Sequence, residues 1–308
     1  MISQAVSLGR GNQMNEPAEK KIPLEIKNLV KTYDLKFPGK FVHAVQDVSL
    51  SIRSGEIFGL LGPNGAGKTS IISTITTLEK PNSGTVKIFG IDVLADPLTT
   101  KKQIGVVHQE IINTGFFNVN EILNFQSGYY GLRKNQERID YLLEKLGLKD
   151  HRRKNVKQLS GGMKRRLMIA KALVHSPKIL LLDEPTAGVD VGLRDSLWAF
   201  VTQLKNEGIS ILLTTHYLEE AEKLCERVGI INKGKILFDG PTKEVISQYS
   251  TKKVFVELKS GIKTTFIETA SMGLVEILAK YNIQYADIKD MRIEEGRLEE
   301  AFSKMVNV

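Results

Sequence analysis

The chain has 308 residues, 42% hydrophobic and 25% charged, enough for one large α/β domain and a smaller appendage. No run approaches the ~18 consecutive apolar residues of a membrane-spanning helix, and residues 1–20 lack the apolar stretch of a secretory signal. One cysteine, Cys225, excludes a disulfide framework and fits a cytosolic location. The net charge of +8 is uneven: residues 149–171 hold nine Lys or Arg against the single acid Asp150, which equals the whole excess. Such a run is read as a solvated basic face, a field near bound polyphosphate, or a nucleic-acid surface.

In chain order, residues 1–22 read as a flexible leader, with Met14 a plausible alternative start. Leu24–Val30 alternates like a strand, Pro38-Gly39 marks a turn, and His43–Ile52 is again an alternating, antiparallel-type strand. Ile57–Leu61 is a short buried strand, and Ser70–Ile75 is apolar enough to begin a helix. A turn at Pro81–Gly84 precedes a strand over Thr85–Phe89, and Ile104–Gln109 is a further short apolar strand, ending on a polar amide. From Glu110 to about Leu148 the pattern is helical, and a second helix runs from Lys164 to about His175, ended by Pro177. Lys178–Pro185 is a buried strand, Asp190 begins an amphipathic helix, and Ile209–His216 is a strand. A helix around Glu219–Arg227, containing Cys225, and a hairpin near Asn232–Lys235 follow. From about Ser250 a small α+β appendage ends in the helix Glu299–Val306.

The chemistry is declared between the third strand and its helix. Gly62-Pro63-Asn64-Gly65-Ala66-Gly67-Lys68-Thr69-Ser70 fits G-x-x-x-x-G-K-[ST]. Its glycines let backbone N–H groups surround an anion, and the helix N-terminus adds partial positive charge. Lys68 suits the β- and γ-phosphates, and the Thr69 hydroxyl suits Mg²⁺. This is a nucleoside triphosphate site. Asp183 and Glu184 end a buried strand, where ligands sit in open α/β sheets. On their own they would read as a strand-end cap, and His216 alone as a core histidine.

Six motifs in order turn this into a family resemblance: Tyr33, the Gly62–Ser70 loop, Gln109, Leu159-Ser160-Gly161-Gly162-Met163, Ile179–Pro185 with Ala187-Gly188-Val189-Asp190, and His216. The chain resembles the ATP-binding cassette (ABC) ATPases, over about residues 24–248. Met163 and the surrounding run resemble the ABC-2-type exporter branch, whose members partner a separate permease. The resemblance implies a P-loop NTPase core with a mixed sheet, an antiparallel β subdomain and an α-helical signature subdomain at about 110–176. It gives an ATPase domain at 23–248 and an α+β appendage at 249–308.

The resemblance also assigns roles. Asp183, Thr69 and Gln109 serve Mg²⁺, Glu184 is the general base, His216 contacts the γ-phosphate, and Tyr33 stacks the adenine. Asp190 joins the nucleotide-binding set. Ser160, Gly161 and Gly162 cap the ATP of a second copy, so two chains clamp two ATP molecules and the basic run attracts a partner's polyphosphate. The expected function is an ATP-hydrolysing subunit that energises export, peripheral on the cytoplasmic side of the membrane through its permease. Five aromatics, Phe116, Phe117, Phe125, Tyr129 and Tyr130, follow Gln109 and are expected to mark the docking surface for that permease. The alternative is a soluble ABC ATPase acting on nucleic acid or ribosomes. Relatives of that kind carry paired cassettes, coiled-coil insertions or Cys-rich zinc modules, which this sequence lacks, so neither nucleic acid nor zinc is expected.

Overall fold

A computed structural model describes residues 22–34, 41–110, 115–186 and 191–306. The leader reading, the Pro38-Gly39 turn and the Ala187–Asp190 motif therefore fall largely or wholly outside the described residues. The first part of the chain forms β1 (Leu24–Asp34), β2 (Phe41–Ile52), β3 (Ile57–Leu61), α1 (Lys68–Ile75), β4 (Ser83–Ile88), β5 (Ile91–Asp92), α2 (Pro97–Gln103) and β6 (Ile104–Val107). Three helices follow: α3 (Val119–Tyr129), α4 (Gln136–Lys145) and α5 (Gly161–Leu173). The chain returns through β7 (Ile179–Asp183), α6 (Val191–Asn206), β8 (Ser210–Thr215), α7 (Leu218–Leu224), β9 (Arg227–Asn232) and β10 (Lys235–Pro241). It closes with α8 (Thr242–Tyr249), β11 (Thr251–Leu258), β12 (Lys263–Thr269), α9 (Leu274–Lys280), β13 (Ile288–Glu294) and α10 (Leu298–Val306).

The central sheet runs β10-β9-β3-β8-β7-β6, parallel except for the β9/β10 hairpin. Buried on both faces, its middle strands read as unbroken apolar runs, as parallel strands do. The side-chain period of two then divides them between two cores. Ile57, Leu180, Leu182, Ile211 and Leu213 join the helical side with α5 and α6. Phe58, Leu60, Ile179, Leu181 and Leu212 join the other, where Ile71, Ile72 and Ile75 of α1 pack. That second core is closed by the antiparallel sheet β2-β1-β4-β5, which contributes Leu24, Ile26, Val48 and Ile88. Each such side chain contributes roughly 1.5–3 kcal/mol on burial.

Several boundaries move. The helical pattern read from Glu110 becomes α3 only at Val119, because Asn118 and Glu121 form a capping box. The helix expected from Lys164 begins at Gly161, with Ser160 as N-cap accepting from Met163 N at 3.3 Å. Cys225 is the buried residue that ends α7 rather than a helical one. In the appendage, the sheet β12-β11-β13 packs α9 over Val254, Val256 and Ile277. Its last helix does not stay there: Leu298 and Ala301 of α10 are buried in the helical-side core with Val245 of α8 and Ala221 of α7.

Candidate active site

Parallel order places the C-terminal ends of β3, β6, β7 and β8 along one edge, and each delivers a motif there. β3 runs into the phosphate loop, where two glycines are sterically required. A Cβ on Gly62 would meet Ile231 O at 2.4 Å, and one on Gly67 (φ 111) would meet Ala44 O at 2.3 Å. Lys68, 5% exposed, donates from Nζ to Gly62 O at 2.7 Å and Pro63 O at 3.2 Å. Burial pulls its pKa below the ordinary lysine value, against the pull of the Glu184 and Asp183 carboxylates.

β7 delivers Asp183, whose Oδ1 accepts from Thr214 Oγ1 at 2.5 Å, and then Glu184. Glu184 has a left-handed backbone (φ 48), a conformation that costs a non-glycine residue of order 1–3 kcal/mol and clusters at functional sites. Its N–H donates to Thr214 O at 2.9 Å, which pins the turn to β8. The carboxylate is 5% exposed and shared. Oε2 accepts from Gln109 Nε2 at 3.0 Å, while Oε1 lies 3.1 Å from His216 Nδ1 and 4.0 Å from Lys68 Nζ.

The phosphate loop opens on a cleft of about 520 Å³ lined by Tyr33, Val42, Ala44, Asn64–Ser70, Gln109 and Glu184. Lys31 Nζ lies 4.8 Å from the Tyr33 ring centroid, and the Tyr33 hydroxyl donates to Ser70 Oγ at 3.2 Å. Burial raises the Tyr33 pKa, so the hydroxyl stays protonated. Thus Tyr33, the loop, Gln109, Glu184, His216 and Asp183 converge. Ser160, Gly161 and Gly162 do not: Ser160 and Gly161 are exposed, and none of the three lines this cleft. Asp190 lies outside the described residues.

Sequence reasoning missed Arg165. It is 2% exposed and reaches five main-chain carbonyls across two neighbouring strand ends. Nη1 donates to His108 O (2.6 Å) and Gln109 O (3.1 Å), Nη2 to Asp183 O (3.0 Å) and Glu184 O (2.6 Å), and Nε to Pro185 O (2.7 Å). The planar guanidinium fork thereby fixes the spacing between Gln109 and Glu184. A signal existed, since Arg165 is in helical phase with buried Met168, Ile169 and Ala172. The basic run is also less free than its sequence implied: Arg166 donates to Leu146 O at 3.0 Å, and Arg152 pairs with Asp140 at 2.7 Å.

The arrangement binds a triphosphate, holds a carboxylate where it can orient water, and leaves a helix N-terminus free for an anion elsewhere. Comparison with known proteins agrees. Residues 45–187 match the ABC transporter family model. The chain is 36% identical over 246 residues to the linearmycin resistance ATP-binding protein LnrL of Bacillus subtilis, covering 79% of this chain and 77% of that one. It is 36% identical to the daunorubicin/doxorubicin resistance ATP-binding protein DrrA of Streptomyces peucetius, covering 76% and 70%. Among solved structures, the ATP-binding subunit of an ABC transporter superposes with a TM-score of 0.66 at 28% identity, over 73% of this chain and 92% of that one. A dimeric post-hydrolysis cassette, MJ0796 bound to ADP and Pi, superposes at 0.64 with 25% identity, over 71% and 98%. The chain belongs to the ABC transporter family, as an ATP-binding subunit that hydrolyses ATP and groups with exporter subunits.

Proposed function

We propose that the chain works as a pair, two copies closing on two ATP molecules to drive export through a separate membrane-embedded permease. The observation that carries this reading is the separation of the two anion sites on one chain. The phosphate loop lines the cleft, whereas the exposed Ser160–Gly161 helix start is not part of it, so its N–H groups suit the ATP of a second copy. The relatives include a Nod factor export ATP-binding protein of Burkholderia orbicola, 39% identical over 220 residues, and resistance ATP-binding proteins, which supports export over a soluble ATPase acting on nucleic acid or ribosomes.

In this reading Glu184 is the general base that orients the attacking water, and Gln109 and His216 hold its two carboxylate oxygens. Tyr33 supplies a plane for the adenine. The donors fit Mg²⁺: the exposed Thr69 hydroxyl, the Asp183 carboxylate and the Gln109 amide are hard oxygen ligands. When bound, Mg²⁺ neutralises charge on the phosphates; Lys68 does the same from the protein side. Residues 23–248 form most of the ATPase unit, its helical part spanning about 110–176; 249–308 supply the appendage sheet and α9, while α10 returns to the ATPase core.

No described helix is long and apolar enough to cross a membrane, and this reading places the chain on the cytoplasmic face through its permease. The docking surface is the outer side of α3. Phe116 is 81% exposed, Phe125 58% and Tyr129 82%, and Phe117 packs edge-on against Phe125 at 4.8 Å. The stripe ends in a groove of about 420 Å³ walled by Leu78, Leu98, Tyr129 and Tyr130. Sedimentation with and without MgATP tests the pairing, and co-purification from membranes tests the docking. A hydrolysing chain that stays monomeric with ATP trapped would count against the shared site.

A further inference from the structure

The run Asn232-Lys233-Gly234-Lys235 joins β9 to β10 by a tight two-residue turn. Its central residues, Lys233 (φ 46) and Gly234 (φ 77), are both left-handed, as such a hairpin needs. The turn is pressed against the phosphate loop. The Gly234 N–H donates to Ala66 O at 2.9 Å, the Gly234 carbonyl accepts from the Gln46 N–H at 2.7 Å, and Lys233 O accepts from Gln46 Nε2 at 2.8 Å. Just before the turn, Ile231 O fills the space that a side chain at Gly62 would need. None of Ile231–Gly234 lines the nucleotide cleft.

The other side of the turn is held by α10. Asn232 Nδ2 donates to the main-chain carbonyl of Val306, the final residue of that helix, at 3.2 Å. A helix leaves its last carbonyls without intrahelical donors and gathers partial negative charge there, so a side-chain amide is a fitting partner. The start of α10 is fixed as well: Glu222 Oε2 accepts from the Leu298 N–H at 2.9 Å, and Glu300 Oε2 accepts from Thr251 N at 3.0 Å. Hydrogen bonds therefore connect the appendage, through Val306, Asn232 and Gly234, to Ala66 of the phosphate loop. Close-packed groups transmit small shifts, and the turn has no slack against Gly62.

We propose that Asn232 is a positioning residue for nucleotide binding, through which α10 sets the affinity of the phosphate loop for ATP. With its amide bonded to Val306, the turn holds Ala66 O and keeps the loop in the shape that aims its N–H groups at the phosphates. Released from α10, the loop samples more conformations, and binding must order it first. The appendage thereby acts on ATP affinity without touching the cleft.

KM and kcat for ATP, with equilibrium binding of labelled ADP, test this in full-length variants. Asn232→Ala removes the donor and raises KM and the ADP dissociation constant about threefold. Asn232→Asp sets a carboxylate against the helix carbonyl and raises both about tenfold. In each, kcat stays within about twofold, because the Glu184 contacts are untouched. Lys233→Asn is the control. It makes the same change in net charge at the next residue, tolerates the left-handed backbone and leaves the Val306 bond alone, so both constants stay at the parent's. Parent-like constants in folded Asn232→Ala and Asn232→Asp overturn the proposal. So does a Lys233→Asn as impaired as Asn232→Asp, since charge alone then accounts for the loss. Should Asn232→Asp fail to fold, Asn232→Ala decides, with hydrogen exchange at the Gly234 N–H as a second readout: faster exchange with a raised KM supports the coupling, and parent-like values overturn it.

Discussion

Arg165, in the second turn of the helix that Ser160 caps, donates from Nη2 to the main-chain carbonyl of Glu184 at 2.6 Å. One side chain thus connects the helix with the exposed start to the residue assigned as base. Lysine at 165 keeps the charge but not the planar fork, and leaves several of the five carbonyls without a donor. Arg165→Lys is expected to lower kcat about tenfold and stability by on the order of 3 kcal/mol, since hydrogen bonds to charged groups are worth about 1.5–3 kcal/mol each. Thermal melts and ATPase assays of the purified chain read both. A variant matching the parent in both would remove Arg165 from the site.

Glu184→Gln preserves shape and the contact with Gln109 while deleting the basic carboxylate. Turnover should fall about 10²–10⁴-fold with ATP still bound, whereas Lys68→Ala should weaken nucleotide binding itself. Filter binding with labelled ATP beside a phosphate-release assay distinguishes the two, and normal turnover in Glu184→Gln would mean another group is the base.

The same Glu184→Gln chain should sediment as a monomer without nucleotide and shift toward a dimer with MgATP. Ser160→Arg places bulk at the exposed helix start and should abolish the shift, lowering stability only by the lost N-cap bond, about 1 kcal/mol. A dimer in Ser160→Arg as stable as in its parent argues against a shared site.

How much of this was legible before the structure depended on how local each signal is. The phosphate loop, the Asp183-Glu184 pair and His216 are each a strand end followed by a turn, so their residue types and order suffice to recognise them. Arg165 stands between Lys164 and Arg166 with nothing in composition to set it apart. Only helical phase buries it fully while Lys164 and Arg166 stay half-buried, and a helix read from Lys164 starts three residues after the true N-cap turn.

Phe116 makes little of the fold, since it is 81% exposed with Lys157 Nζ 5.1 Å from its ring centroid. Phe116→Ala should melt within about 0.5 kcal/mol of the parent and bind ATP normally. If the α3 stripe docks the permease, the variant should loosen from membranes by about 2 kcal/mol, roughly thirtyfold in affinity. Flotation of membranes carrying the complex measures it, and full retention there would move the docking surface elsewhere.

The last helix changes what it means to shorten this protein. α10 packs on α8, the Leu298 N–H is capped by Glu222 Oε2 of α7 at 2.9 Å, and Thr251 N, where the sheet is entered, donates to Glu300 Oε2 at 3.0 Å. The chain therefore leaves the ATPase unit and rejoins it at one doorway. A stop codon after residue 249 would not shed an accessory; it would strip a wall from the helical-side core and bare Val245 and Ala221 to water. The separable piece is internal, residues 252–294, and a short bridge across the doorway should yield a soluble, ATP-hydrolysing miniature where terminal truncation yields aggregate.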